Sequence, residues 1–424
     1  MTSEELFVWI HLPGSHEPVV AGRMVISHPV TGANIGKFTY GRSYIERSNA
    51  IPIDPVTLPL HGEISDFTTL LGYPGVILDS TPEMWGRKVI DKLMGQQTFP
   101  HGYLLINDVS RAGCLAYSTS PTEPPVELSN LERTVFSLSD LAMAAESVES
   151  DREIDAALLR ALATGSGGAR PKCTIIEDGA VWIAKFPSTK DSPLISIPRL
   201  EHASMTLARL CGINAAETKL IREGGKDICL VKRFDRELVD GKIIRNGFLS
   251  ANSVFYADPG FSAIGTGSYA RLARWLGRYG ASSDQRKEIY RRMVFNVAIR
   301  NSDDHERNHG LLQRRDGYFD LSKAYDVLPA INPTPVHTHS MLIGETADGT
   351  VSNLLSNASA FGLDAEEARA LIEDIQAKIA HHLHEVFYES GFGDEDMARV
   401  EKYFRKIPAS IEEATNFTRP FRIK

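Results

Sequence analysis

The stretch Asn301-Ser302-Asp303-Asp304-His305-Glu306-Arg307-Asn308 decides how this chain is read. Within it, Asp303 and Asn308 stand five residues apart. A carboxylate at the first position can accept or orient a hydroxyl proton, and an amide oxygen at the second is a hard ligand suited to Mg²⁺. Together they form a base-and-metal pair of the kind phosphoryl transfer uses. Two other readings compete. Asp303, Asp304, His305 and His309 could ligate the metals of a phosphoesterase, although the distant second Asp/His cluster of a two-metal site is lacking. Ser302-Asp303-Asp304 could also merely cap a helix.

Phosphoryl transfer further needs a cover for the phosphates, a cation to hold them and another metal ligand. Downstream, 311–313 and 318–321 read as strands about the Asp316-Gly317 turn, leading to Tyr325-Asp326-Val327, where Asp326 would be the second Mg²⁺ ligand. Upstream lies the Gly-rich turn Thr164-Gly165-Ser166-Gly167-Gly168-Ala169-Arg170-Pro171-Lys172. Its glycines let backbone N–H groups approach phosphate oxygens, so Gly167, Gly168, Ala169, Arg170 and Lys172 are the candidate cover. It matches neither a Walker A motif nor G-x-G-x-x-G, and alone it reads as a turn. The cation would be Lys185, which alternation places with Val181 and Ile183 on one strand face. Its expected partner is Glu201 on the following helix; the alternative is a solvated acid in the first helical turn. The Asp-to-Asn spacing and the strand lysine match the protein-kinase H-R-D-x-x-x-x-N loop and V-A-I-K element, and the parts occur in kinase order.

The 424 residues are 42% hydrophobic and 24% charged, an ordinary globular composition with length for two or three units. A formal net charge of −8 gives no global electrostatic reason to bind nucleic acid or an acidic membrane. The small basic patch at 419–424 reads as a solvated tail. Four cysteines, Cys114, Cys173, Cys211 and Cys229, lie far apart without a C-x-x-C pair. That excludes a disulfide framework or zinc site and leaves small buried apolar residues in a reducing compartment. No leader signal opens the sequence, and no apolar run approaches the ~20 residues that span a bilayer. A cytoplasmic protein without membrane contact is expected.

Residues 1–120 read as mostly β, with strand-like runs at 7–11, 19–27, 102–107 and 113–118, and 118–125 as a linker. Helices are expected around 139–147 and 152–163, then strands at 173–177 and 181–186 about an Asp178-Gly179 turn. Leu200, Ala203, Ser204, Leu207, Ala208 and Cys211 make one helical face that stops at Gly212; 228–234 is another strand. From about Tyr269 the pattern is mainly helical. The helix near 284–300 is apolar over a wide face (Ile289, Tyr290, Met293, Val294, Val297, Ala298), so deep packing is expected.

On these residues the chain resembles the HipA family of serine/threonine kinases, toxins of bacterial type II toxin–antitoxin systems. The resemblance runs nearly full length. It rests on Val20-Ala21-Gly22-Arg23-Met24, Phe38-Thr39-Tyr40 and Leu58-Pro59-Leu60 near the start, then on Gly167-Gly168-Ala169-Arg170-Pro171-Lys172. Leu207-Ala208-Arg209-Leu210-Cys211-Gly212-Ile213, Val231-Lys232-Arg233-Phe234-Asp235-Arg236, Asn301-Ser302-Asp303-Asp304-His305 and Ala324-Tyr325-Asp326 complete it. It implies Asp303 as catalytic aspartate, Asn308 and Asp326 as Mg²⁺ ligands, Lys185 on the ATP phosphates and 167–172 as a mobile phosphate loop. Lys232 and Phe234 would belong to the hinge that meets adenine, with His305 also close to nucleotide. Relatives often carry an autophosphorylated serine at the start of the phosphate loop. Here Gly165 takes that place, so Ser166, or Thr164, is the candidate. A phosphate there adds about −1.5 to −2 charge beside the ATP phosphates and would oppose loop closure.

The expected fold is α+β: a two-lobed, protein-kinase-like architecture with a β-rich N-terminal part and a mainly helical C-terminal lobe. The expected divisions are an N-terminal β subdomain at 1–120, the rest of the N-lobe at 121–235 and the helical C-lobe at 236–424, with ATP and Mg²⁺ between the lobes. The resemblance implies phosphorylation of a protein such as an aminoacyl-tRNA synthetase or another translation factor. It also implies a HipB-like helix-turn-helix antitoxin, through which alone DNA would be met. A small-molecule or lipid kinase on the same fold, and a nucleotide-binding regulator acting as corepressor, remain alternatives.

Overall fold

The computed structural model describes residues 2–69, 71–128, 136–163, 167–257, 267–330, 338–404, 406–410 and 413. Thr164, Gly165 and Ser166 and the basic stretch 419–424 lie outside them. The chain forms two compact units: Met1–Lys190, Arg222–Ala257 and Leu312–Tyr318 in the first, Asp191–Ile221, Asp258–Leu311 and Phe319–Lys424 in the second.

The first unit is β-rich. Strands β1 (Thr2–His11), β2 (Pro18–His28), β3 (Asn34–Tyr40), β4 (Ser65–Thr69) and β5 (Leu115–Ser118) make a sheet of order β4-β3-β2-β1-β5. Its ladders are antiparallel, and period-two alternation at the start of the inner strand β1 buries Leu6 and Val8. A second sheet has order β6-β7-β9-β8, from β6 (Lys172–Glu177), β7 (Ala180–Lys185), β8 (Thr218–Glu223) and β9 (Lys226–Lys232). β6 and β7 join through Asp178 at φ +49 and Gly179 at φ +69, a two-residue turn whose twist suits a hairpin. A further hairpin pairs β10 (Arg236–Val239) with β11 (Lys242–Arg245). The remaining strands are β12 (Phe248–Ser250) in this unit, β13 (Gly310–Gln313), which the division of the chain crosses, and β14 (Phe319–Leu321) in the second.

The strand expected at 102–107 does not form. The region between β4 and β5 is helical instead, with Gly75–Leu78, Met84–Met94 and His101–Leu105. Periodicity cannot separate strand from helix in so short an apolar run, and here the helix end is held by a side chain five to eight residues on. The carbonyls of Tyr103, Leu104 and Ile106 all accept from the buried Arg111 guanidinium, at 3.5, 2.9 and 2.7 Å. That satisfies the acceptors which a helix end leaves open.

The second unit is mainly helical, around Ile197–Leu210, Tyr269–Tyr279, Asp284–Ala298 and the long Ala365–Glu389. The wide apolar face of Asp284–Ala298 is buried at every residue expected. So is the face of Ile197–Leu210, which stops at Gly212 with φ +84. All four cysteines are buried free thiols. Among the described residues, no helix is long and apolar enough to cross a membrane.

Candidate active site

In the second unit, the loop 301–308 follows helix Asp284–Ala298. Arg300 leaves the helix at φ +57, a left-handed conformation uncommon for residues other than glycine. The next carbonyls each find donors. Arg300 O accepts from Ala330 N–H (3.1 Å), and Ser302 O from Ser340 N–H (3.1 Å) and Ser340 Oγ (2.9 Å). Asn301 O lies 3.1 Å from His339 Nδ1, which must therefore carry the ring proton. Burial lowers the pKa of His339 and keeps the ring neutral. The 3₁₀ turn Glu306–Asn308 closes the loop with His305 at its N-cap and no capping side chain. Ser302-Asp303-Asp304 is therefore not a helix cap.

The two adjacent aspartates are treated oppositely. Asp303 is exposed, whereas Asp304 is only 2% exposed. The Asp304 carboxylate accepts from Asn296 Nδ2 (2.8 Å), His309 Nε2 (2.9 Å) and the Tyr269 hydroxyl. Burial pushes its pKa up, but His309 and then Tyr269 outweigh that and hold it below the usual carboxylate range. Tyr269 is pushed well above its ordinary value, by burial first and Asp304 second, so it remains a donor. Asp304 is a buried ionised anchor beneath the loop, and Asp303 is the carboxylate left outside. The phosphoesterase arrangement fails on the same geometry, because Asp304 and His309 engage each other. Among the described residues, no three His, Cys, Asp or Glu side chains group to hold an ion.

Asn308 is buried, and its amide nitrogen faces the main-chain oxygen of Asp303 at 3.4 Å, a long contact that orients Oδ1 away from it. The segment bearing Asp326 lies beside this loop. Ser322 N–H donates to Gly310 O (2.8 Å), and the Tyr325 hydroxyl donates to Arg307 O (2.6 Å). Asp326 itself sits at φ +58, where such strain needs support from the surrounding structure. One carboxylate and one amide oxygen are hard donors that suit Mg²⁺. Two protein ligands suffice for an ion whose shell is completed by nucleotide phosphates. His305 is half-buried, with Nδ1 unpartnered among the described residues.

The first unit holds the candidates for phosphate binding. Lys172 and Lys185 are direct cross-strand partners in the β6–β7 ladder, so their side chains share a face. Lys172 Nζ donates to Gly167 O, and Gly168, at φ +106, donates its N–H to the Glu83 carboxylate. Ala169 and Arg170 complete this turn, which the Trp85 indole ties down by donating to Lys172 O at 2.7 Å. On β7, Trp182 and Ala184 are buried, whereas Ile183 and Lys185 are half-buried. On β9, Lys232 stands opposite Trp182, its Nζ 5.8 Å from a ring centroid of the indole. Glu201, in the second unit, is 3% exposed, so it is not a solvated acid.

The sequence profile of the HipA-like C-terminal domain matches residues 164–383, a span that includes the loop, the anchor and the opposed lysines. The chain belongs to this family. Among related proteins, "Putative kinase Y4dM" of Sinorhizobium fredii is 32% identical over 165 residues, covering 36% of this chain and 38% of that protein. A "Putative kinase" of Haemophilus influenzae is 25% identical over 175 residues, covering 37% of this chain and 47% of the relative. The matches thus span less than half the length of these curated relatives. The Shewanella oneidensis MR-1 toxin–antitoxin protein HipA, solved with HipB and operator DNA, is 15% identical. It superposes with a TM-score of 0.69 over 97% of this chain and 100% of that one. At that identity the likeness speaks for the fold, and the kinase-like α+β architecture expected from the sequence is the one adopted.

The HipA-like stretch Lys232-Arg233-Phe234-Asp235-Arg236 then divides by alternation. Lys232 and Phe234 are half-buried; Arg233, Asp235 and Arg236 are buried. Asp235 takes a forked pair from Arg233, at 2.9 and 2.7 Å, and a further contact from Arg236 at 3.0 Å. Sequence reasoning took Arg233, Asp235 and Arg236 as part of the family-like stretch without foreseeing their ion pairs, and passed over Tyr269 and Asn296 beneath the loop. Only the charge alternation R-x-D-R hinted at the cluster, and nothing local marks Tyr269 or Asn296.

Proposed function

We propose that this chain is an ATP- and Mg²⁺-dependent kinase that transfers the γ-phosphoryl group to a serine or threonine hydroxyl of a protein. The observation that carries the reading is the split aspartate pair. Asp304 is locked below the loop, and Asp303 stands outside it, five residues ahead of the buried amide of Asn308. In this reading Asp303 accepts or orients the proton of the acceptor hydroxyl. Asn308 and Asp326 hold Mg²⁺, which when bound neutralises phosphate charge. Lys185 and Lys172, with the backbone of Gly167, Gly168, Ala169 and Arg170, hold the phosphates. Lys232 and Phe234 face adenine and His305 contacts nucleotide; Glu201 is a buried acid of the second unit. The opposed lysines support a polyanionic ligand in the first unit, as the buried anchor supports a fixed carboxylate in the second.

Family membership and the likeness to a HipA solved with HipB and operator DNA support a toxin's role in a cytoplasmic toxin–antitoxin pair. Its partner would be a HipB-like helix-turn-helix antitoxin, and its substrate a protein of translation such as an aminoacyl-tRNA synthetase. Ser166, or Thr164, would carry an inactivating phosphate, which mass spectrometry after incubation with MgATP detects. The main test is label transfer from γ-labelled ATP into a lysate by wild type, Asp303→Asn and Asp326→Asn. Transfer is expected from the wild type alone; equal labelling by all three contradicts the assignment.

A further inference from the structure

Glu83 stands at the N-cap of helix Met84–Met94, yet its side chain does not cap that helix. Its carboxylate reaches a loop 85 residues on instead and accepts the N–H of Gly168. The bare backbone there is closely approached from two directions. A Cβ on Gly167 would lie 3.1 Å from the Glu83 carboxyl carbon and from one of its oxygens, and a Cβ on Gly168 would lie 2.3 Å from Lys172 Nζ. Gly168, at φ +106, also holds a conformation that glycine adopts at little cost. Trp85, in the same first unit, holds this loop in another way. Its N–H donates to Gly168 O at 3.2 Å, and its indole donates to Lys172 O at 2.7 Å.

The two holds differ in what they take from the loop. The Trp85 tethers use carbonyl oxygens, for which a bound anion has no need. Glu83 uses an N–H, the group through which a glycine-rich loop takes phosphate oxygens. One N–H cannot serve a carboxylate and a phosphate at full strength, and two anions at such spacing repel. We propose that Glu83 is an internal competitor of nucleotide phosphate, seated on the Gly168 N–H until a phosphate displaces it. The inference rests on the phosphate role proposed above for Gly167–Lys172. Glu83 is half-buried, and its withdrawal strands no fully buried charge. While it is seated, the loop is not free to bind, and the apparent affinity for phosphate falls with the fraction of loops left open.

Calorimetric titration of the full chain with MgATP tests this. Glu83→Gln keeps the shape, removes the charge and weakens the bond to Gly168, while both Trp85 tethers stay. MgATP should bind this variant about tenfold more tightly than wild type. A merely supporting role for Glu83 has the opposite sign, because a loosened loop binds more weakly. Trp85→Phe supplies that comparison: it removes the indole tether, keeps Glu83 and should weaken MgATP. Melting temperatures report whether the variants are folded, and the Glu83→Gln comparison stands without Trp85→Phe. Binding of MgATP by wild type with no tightening in Glu83→Gln overturns the proposal and leaves the kinase reading standing. Equal tightening by a folded Trp85→Phe also overturns it, since any loosening of the loop would then suffice. Absence of MgATP binding in both wild type and Glu83→Gln overturns the kinase reading and this proposal with it.

Discussion

Asp235 in the first unit and Asp304 in the second are both buried carboxylates held ionised, and they are held by different means. Burial raises the pKa of each, and their partners reverse it. For Asp235 the reversal comes chiefly from Arg233 and Arg236, which push it far below the carboxylate range. Those guanidiniums also donate to the carbonyls of Ser110, Arg111 and Val109, binding β9 and the start of β10 to the preceding chain. Asp304 has an imidazole, a phenol and an amide as donors, none permanently charged. The first arrangement is a scaffold clamp built from groups that never titrate in water near neutrality. The second is a hydrogen-bonded seat for a loop whose next-door carboxylate has to work.

The contrast can be broken first at Asp235. Asp235→Ala leaves two buried guanidiniums uncompensated and should cost about 3–5 kcal/mol, read from urea unfolding. A loss below about 1 kcal/mol would mean that the clamp is not what joins these segments. Asp304→Asn keeps shape but removes the charge and turns one N–H toward three donors. About 3 kcal/mol of stability should go, and transfer should fall while MgATP affinity, read by calorimetry, holds. Unchanged transfer would separate the anchor from the loop. Tyr269→Phe removes one of the three donors and should cost about 1.5 kcal/mol in the same unfolding assay; no loss would show that the phenol is idle.

The smallest effect per step is with pH. His11 in the first unit, pushed down to about 2, and His339 in the second both have folded pKa values below the unfolded 6.5. Below pH 6.5 the unfolded chain therefore binds more protons, and stability falls as pH falls, by up to about 1.4 kcal/mol per histidine per unit. The depressed Asp235 and Asp304 act with the same sign but only below about pH 4, where the unfolded carboxylates protonate. Unfolding midpoints at pH 7, 6 and 5 should drop before the carboxylates of the unfolded chain titrate; a flat profile would contradict the burial of these two rings.

Legibility followed sequence distance. Asp303 and Asn308 form a local pair, and the helical faces around Leu200 and Ile289 repeat within a few residues, so both could be read directly. Asp304 and His309 were visible as neighbours, but their role was not. The choice between metal ligand and anchor depends on Tyr269, 35 residues away, and on burial. The misread run at 102–107 failed for another reason: Arg111 is only five to eight residues from the carbonyls it bonds, but periodicity does not separate strand from helix in so short a run. Arg233, Asp235 and Arg236 read as one family-like stretch with Lys232 and Phe234 until burial set their clamp apart.

The most direct test of the account is Asp303→Asn, compared with wild type in three readouts: melting, MgATP binding and phosphoryl transfer. Asp303 is exposed, so stability should change by less than about 0.5 kcal/mol. MgATP should bind within a few-fold of wild type, and transfer should fall by about 10²–10⁴. Transfer at the wild-type rate by a folded, ATP-binding Asp303→Asn chain would contradict the claim that this carboxylate does the chemistry.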